Sequence, residues 1–194
     1  MHGQQEATAA WLHWWQQDWW RQADTSWSSD FFNLPLAQQQ SLAWQQPQAV
    51  AASFGISPAL PPAPPARMMT LLVFEHSDWQ RLLALLAAIC APQAAPPDLT
   101  GSDLIWCRRL SKALRCDSWL DAACFEPWPV GGLLLLRCLH PESWPRLRLR
   151  FPHEWVKQLE EYPSLTLPAT RLAALYDAAI WQCQQSGAAP HVDG

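Results

Sequence analysis

The residues of this 194-residue chain that could do covalent or metal chemistry are six cysteines, six histidines and a few adjacent carboxylates. The cysteines stand at positions 90, 107, 116, 124, 138 and 183. None forms a C-x-x-C pair, and a structural zinc site needs thiolates and imidazoles clustered at short spacing. Several fall inside apolar helical patterns, so they are expected to be free, buried thiols in a reducing compartment. The opening MHGQQEATAAWLHWWQQ fits that expectation, because it lacks the basic and uninterrupted apolar regions of a secretory leader. Cys138 and His140 make the least implausible nucleophile–base pair, since two residues apart on an extended segment they face one side. No orienting group or oxyanion donor accompanies them. His153-Glu154 and Glu160-Glu161 are adjacent on an expected helix, so their side chains diverge. Gly131-Gly132 reads as a turn before a buried segment, and no phosphate-loop, nucleophile-elbow, dinucleotide or zinc-protease motif is present. The expectation is a protein that is not an enzyme, with no cofactor, no metal and no small-molecule substrate.

The remaining chemistry is that of binding. The formal net charge is −4, which argues against a nucleic-acid protein. Positive charge is nevertheless concentrated between Arg108 and Lys157. A helix over 104–115, capped by Ser102-Asp103, buries Trp106, Cys107, Leu110, Ala113 and Leu114. Arg108, Arg109, Lys112 and Arg115 line the rest, a candidate docking face for an acidic partner. The second candidate is a tryptophan-crowded helix over 6–22. Trp11, Trp15 and Trp19 recur every four residues beside Trp14, a stripe at helical spacing that packs on the body or docks a partner. Tryptophan is enriched at binding hot spots, so Trp15, Trp19 and Trp20 are candidate partner-binding residues. Trp20 falls off the stripe and is expected to be the exposed anchor.

These residues need a scaffold, and the composition supplies one. Hydrophobic residues make up 49% of the chain and charged ones 15%, a balance that argues against wholesale disorder. The fold class expected is mainly α: a single helical domain with a small extended or β element around 133–151 and a Trp-rich N-terminal helical segment. Pro35 opens a short helix over 35–46. Residues 57–66, SPALPPAPPA, read as a semi-rigid polyproline spacer between a Trp-rich segment, 1–56, and a helical body, 67–187. Ser77 and Gln80 mark the start of a helix that Pro92 ends. Short helices are expected from Asp117 or Ser118 to Phe125 and over 153–161. Pro168 and Gly187 bracket a last one, and residues 188–194 form a frayed tail. No run reaches the ~20 apolar residues of a membrane helix, so no direct membrane insertion is expected.

The most patterned stretch runs from Trp128 to Pro152, WPVGGLLLLRCLHPESWPRLRLRFP. Arg146, Arg148 and Arg150 alternate with Leu147, Leu149 and Phe151, which predicts an extended segment with a wet basic face and a buried apolar one. The motif PESWPRLRLRFP, following an apolar segment and preceding a short amphipathic helix, resembles the SctK/OrgA/MxiK family. Those proteins are cytoplasmic sorting-platform adaptors of bacterial type III secretion systems. Overall length, the Pro-rich break before Arg67 and the Leu-rich segment after it are similar as well, so the likeness covers roughly the C-terminal two thirds. The resemblance implies a cytoplasmic adaptor recruited to the inner face of the inner membrane. Its partners would be the cytoplasmic domain of the inner-membrane ring protein and the pod, or C-ring, protein. The alternative is a type III secretion chaperone or regulatory binding protein, which would be an acidic homodimer with an open apolar groove.

The cysteine spacing alone makes one outcome testable. The protein purified without added metal is expected to carry no stoichiometric zinc and six titratable thiols. Metal analysis giving one zinc per chain would overturn it.

Overall fold

The computed structural model describes residues 2–187, so the expected frayed tail, 188–194, lies outside the described residues. The architecture is mainly α, as the composition and periodicity predict. The described residues form ten helices, in order α1 His2–His13, α2 Leu36–Gln45, α3 Pro47–Ser53, α4 Ala66–Leu72, α5 His76–Cys90, α6 Gly101–Leu114, α7 Trp128–Leu139, α8 Trp144–Leu147, α9 His153–Glu160 and α10 Ala169–Gly187. Among the described residues there is no β-strand. The chain forms two compact units, the first made of residues up to Leu72 together with His140–Gln158, the second of Val73–Leu139 and residues from Leu159 on.

The extended element expected around 133–151 is instead helical. Leu133–Leu136 lies within α7, Trp144–Leu147 is one helical turn, and Arg148–Arg150 continues it as a 3₁₀ turn. Leucine and arginine are strong helix formers, and the segment holds no β-branched residue that would favour a strand. Period-two alternation misleads here because the segment is buried on more than one side. Leu147, Leu149 and Phe151 are buried, and so are Arg146 and Arg150. A turn surrounded by protein has no wet face to mark its period.

In the first unit the three arginines of this turn each hold a different upstream segment. Arg146 Nε donates to the carbonyl of Trp15 (3.0 Å), and Arg148 Nη2 to that of Phe54 (2.7 Å), just past α3. Arg150 Nη2 donates to the carbonyl of Leu72 (2.9 Å), the last residue of α4. The last carbonyls of a helix lack intrahelical partners and carry its negative dipole end, so a cation there is doubly favoured. α1 runs into a π-helical turn, Trp14–Asp18, closed by Trp19 N–H donating to Trp14 O (3.1 Å). From this helix Trp11 Nε1 donates to Pro62 O (2.9 Å) and Trp15 Nε1 to Ala59 O (3.1 Å). Residues 57–65 of the proline-rich stretch form neither helix nor strand, and two of the stretch's carbonyls are held by these tryptophans within this unit.

In the second unit α5 is the hub, packing against α6, α7 and α10. Ten of its residues are buried. Its N-cap is Glu75, whose capping box closes with Asp78, two residues ahead of the Ser77 cap the sequence suggests. α6 begins the same way, from Thr100 and Asp103. α7 is buried from Pro129 to Leu136 and crosses α5 closely enough that a Cβ on Gly132 would lie 2.6 Å from Leu83 Cδ2. Tyr176 of α10 donates its hydroxyl to Gly132 O (2.8 Å). Gly131 and Gly132 are thus contact glycines inside a helix, and the turn expected there is absent.

That packing gives a paired test. A Cβ on Gly131 would meet Phe125 Cγ at 2.5 Å and the Cys124 carbonyl at 2.8 Å, whereas one on Gly101 meets nothing within 4 Å. Gly131→Ala is expected to cost about 1–3 kcal/mol by overpacking. Gly101→Ala, in the first turn of α6, is expected to be neutral or to gain up to about 1 kcal/mol. Urea unfolding of the two variants checks this, and equal effects would contradict the placement of α7.

Candidate functional site

The residues with reactive chemistry are scattered. Among the described residues no three His, Cys, Asp or Glu side chains come together to hold a metal ion. Burial pushes the thiols of Cys107 and Cys183 up to about 12, so neither is a thiolate at neutral pH. Cys90 and Cys116 hydrogen-bond to each other, which raises the first thiol's pKa and lowers the second's. Cys138 Sγ donates to the Leu165 carbonyl (3.6 Å), and burial pushes its pKa up. His140 is buried, and desolvation, helped by the charge of Arg67, pushes its pKa down to about 4. Among the described residues Asp103 is the one buried carboxylate. Desolvation raises its pKa, but hydrogen bonds from Thr100 and Gln182 and the Arg81 charge outweigh that, and the net shift is downward. It accepts from Arg81 Nη2 (2.9 Å), Gln182 Nε2 (3.2 Å) and Thr100 Oγ1 (2.7 Å), a capping and cross-linking role.

The tryptophan candidates are core. Trp15, Trp19 and Trp20 are all buried. Trp19 packs edge-on against Phe54 (5.7 Å between centroids), and Trp20 against Phe31 (5.1 Å). Trp20 is therefore not the exposed anchor that its offset from the stripe suggests. The π turn has more residues per turn than an α-helix, so residues beyond it are rotated relative to an α-helical projection. Trp20 consequently reaches the Phe31 side of the cluster.

The basic candidates are where the sequence places them. Arg108, Arg109, Lys112 and Arg115 are all exposed. None of the four is in an ion pair among the described residues. Positions 105, 108, 109 and 112 share one helical face. Ile105, 51% exposed, therefore lies with three cations around it. Arg115 closes α6 in the left-handed conformation (φ 50°, ψ 52°), which carries the chain away from the helix axis.

A second surface, not singled out by the sequence, lies in the first unit. Trp44, 72% exposed, stands on α2 beside a groove of about 260 Å³. Trp15, Trp19, Pro47, Pro58 and Arg146 also line it. The Arg146 guanidinium lies over the Trp15 ring, 3.9 Å from its centroid. The sequence signal for Trp44 is slight: one indole in the glutamine-rich LAQQQSLAWQ, without a periodic partner. Arg146 gives no signal at all, since alternation assigns it to a wet face.

Comparison of the chain with protein-family models, with curated proteins and with solved structures finds no match. No described helix is long and apolar enough to cross a membrane.

The burial pattern separates core from surface tryptophans by stability. Trp20→Ala is expected to cost about 3–5 kcal/mol, as truncation of a buried aromatic does. Trp44→Ala, at an exposed site, is expected to stay within about 0.5 kcal/mol of the parent. Chemical denaturation followed by far-UV circular dichroism reads both. Similar losses would contradict the burial described for the two residues.

Proposed function

We propose that this protein is a non-enzymatic adaptor of a bacterial type III secretion sorting platform. It works in the cytoplasm at the inner face of the inner membrane, bridging the inner-membrane ring protein to the pod, or C-ring, protein. The resemblance of residues 141–152 supplies the identity of these partners. The observation that carries an interaction role is the face of α6. Arg108, Arg109 and Lys112 are exposed around Ile105 and lack carboxylate partners among the described residues. These cations are thus available to a partner, and clustered charge of one sign raises the encounter rate with a surface of the other sign and selects it. The apolar centre adds area that desolvates on docking. Support for a non-enzymatic role comes from the thiols of Cys107, Cys138 and Cys183, which burial holds protonated at neutral pH.

The test uses both expected partners. Arg108→Glu with Arg109→Glu is expected to abolish capture of one partner and leave the other, with circular dichroism unchanged. Raising the salt should weaken the parent protein's capture of the same partner, because exposed charges are screened over about 8 Å at physiological ionic strength. Retention of both partners by the variant at low and moderate salt would remove the basis for this role. A stable homodimer that binds a secreted substrate instead would indicate a chaperone.

A further inference from the structure

We infer that the groove between Trp44 and Arg146 is a peptide-binding site that takes an acidic side chain flanked by apolar residues. The choice of a peptide as occupant rests on the adaptor reading, while the chemistry of the groove stands on its own geometry.

Arg146 is the informative residue. It is only 6% exposed, and it lines the groove. Its Nε is used by the Trp15 carbonyl, and its face by the Trp15 ring. Among the described residues nothing accepts from its Nη groups, and no carboxylate pairs with it. A guanidinium stays protonated at neutral pH even when burial lowers its pKa to about 10, so the charge is present, and its Nη groups meet the groove rather than protein acceptors among the described residues. Arg150 is buried to a similar degree, but two backbone carbonyls take up its Nη groups and it lines none of the described pockets. The two residues therefore differ in what is left unsatisfied. At Arg146 a planar pair of donors, already dehydrated on one side, borders an open aromatic cleft.

The walls select what accompanies the anion. Trp44 and Trp19 offer indole surface, and Pro47 and Pro58 offer rigid apolar surface. Gln48 supplies polar edge without charge. An acidic side chain matches the guanidinium by charge and by fork geometry, which no neutral amide does. An adjacent leucine or aromatic side chain would cover Trp44, the kind of indole that dominates binding energy once water is excluded. Among the described residues no carboxylate lines the groove to compete for the guanidinium.

The experiment selects random peptides of about twelve residues, displayed on phage, against the full-length protein, since short peptide segments recognised in a groove carry their anchors within that length. Selected peptides are resynthesised with both ends capped and measured by fluorescence anisotropy. Enrichment of Asp or Glu beside an apolar residue is expected. Replacing that acid by its amide should weaken binding about tenfold or more, because a charge-assisted hydrogen bond is lost. Arg146 also holds the N-terminal helix, so the decisive variants are ones at exposed groove positions. Gln48→Glu, which introduces a competing carboxylate, and Trp44→Ala should each weaken binding about tenfold with unfolding unchanged. No enrichment, enrichment without an acid, or unchanged affinity in both variants would overturn the site. Binding that required a free C-terminus would overturn the assignment to a side chain. Peptides sensitive to Arg108→Glu with Arg109→Glu but not to the groove variants would place the acidic partner on α6, ending this inference while leaving the adaptor role intact. Loss of both expected partners' binding with groove affinity retained would do the reverse.

Discussion

The first compact unit depends on three guanidinium groups placed two residues apart in RLRLR. Arg146, Arg148 and Arg150 each donate to a carbonyl of a different upstream segment, at Trp15, Phe54 and Leu72 respectively. Two of the three side chains are buried. Burying a cation is costly, and here backbone oxygens at the ends of helical segments, which lack intrahelical partners, offset part of that cost. The leucines between them are fully buried and fill the space that the arginines span. Two further bonds tighten the same junction, from the Asp24 backbone N–H to Leu149 O (2.7 Å) and from the Trp27 indole Nε1 to Phe151 O (2.9 Å). A run from the C-terminal half of the chain thus determines where N-terminal segments end.

Tryptophan and proline solve a related problem around that junction. Proline-rich backbone has few N–H donors of its own to pair its carbonyls, and an indole presents a single donor on a large apolar body. Trp11 and Trp15 each donate to a carbonyl of the 57–66 stretch; Trp11 stacks on Trp14, and the Trp15 ring packs tilted against the one and edge-on against the other. A stretch that composition alone marks as a spacer becomes part of the wall of a unit. The same packing leaves the groove beside Arg146 open, with Pro47 and Pro58 along its rim.

The second unit rests on shape more than on polar bonds. α7 is buried nearly throughout, and Gly131 and Gly132 let Phe125 and Leu83 approach its backbone. Its far end is held by Arg137, which donates to the carbonyls of Leu159, Tyr162 and Pro163 (3.1–3.2 Å). With Arg81, Asp103 and Arg137 engaged in capping and cross-links, the exposed cations of α6 are a surplus that this unit's own packing does not use.

Amphipathic elements were legible in the sequence wherever one side of a helix meets water. The apolar side of α9, the two-faced pattern of α6 with Arg108, Arg109 and Lys112 outward, and the Pro168-to-Gly187 span of α10 all come from local periodicity and terminal residues, which need no knowledge of the rest of the chain. The absence of catalytic motifs is equally a local property. The surroundings of a fully buried segment are not local. RLRLRF carries a strand's alternation yet forms a turn, because protein contacts both its leucines and its arginines and no solvent face imposes a period. Trp20 carries the offset of an exposed residue yet is core, because a π turn rotates it inward. The groove joins Trp15 and Trp19 to Trp44, Pro58 and Arg146, residues distant in sequence that share no pattern. Their meeting depends on which carbonyls the arginines find, a choice made only by the tertiary structure.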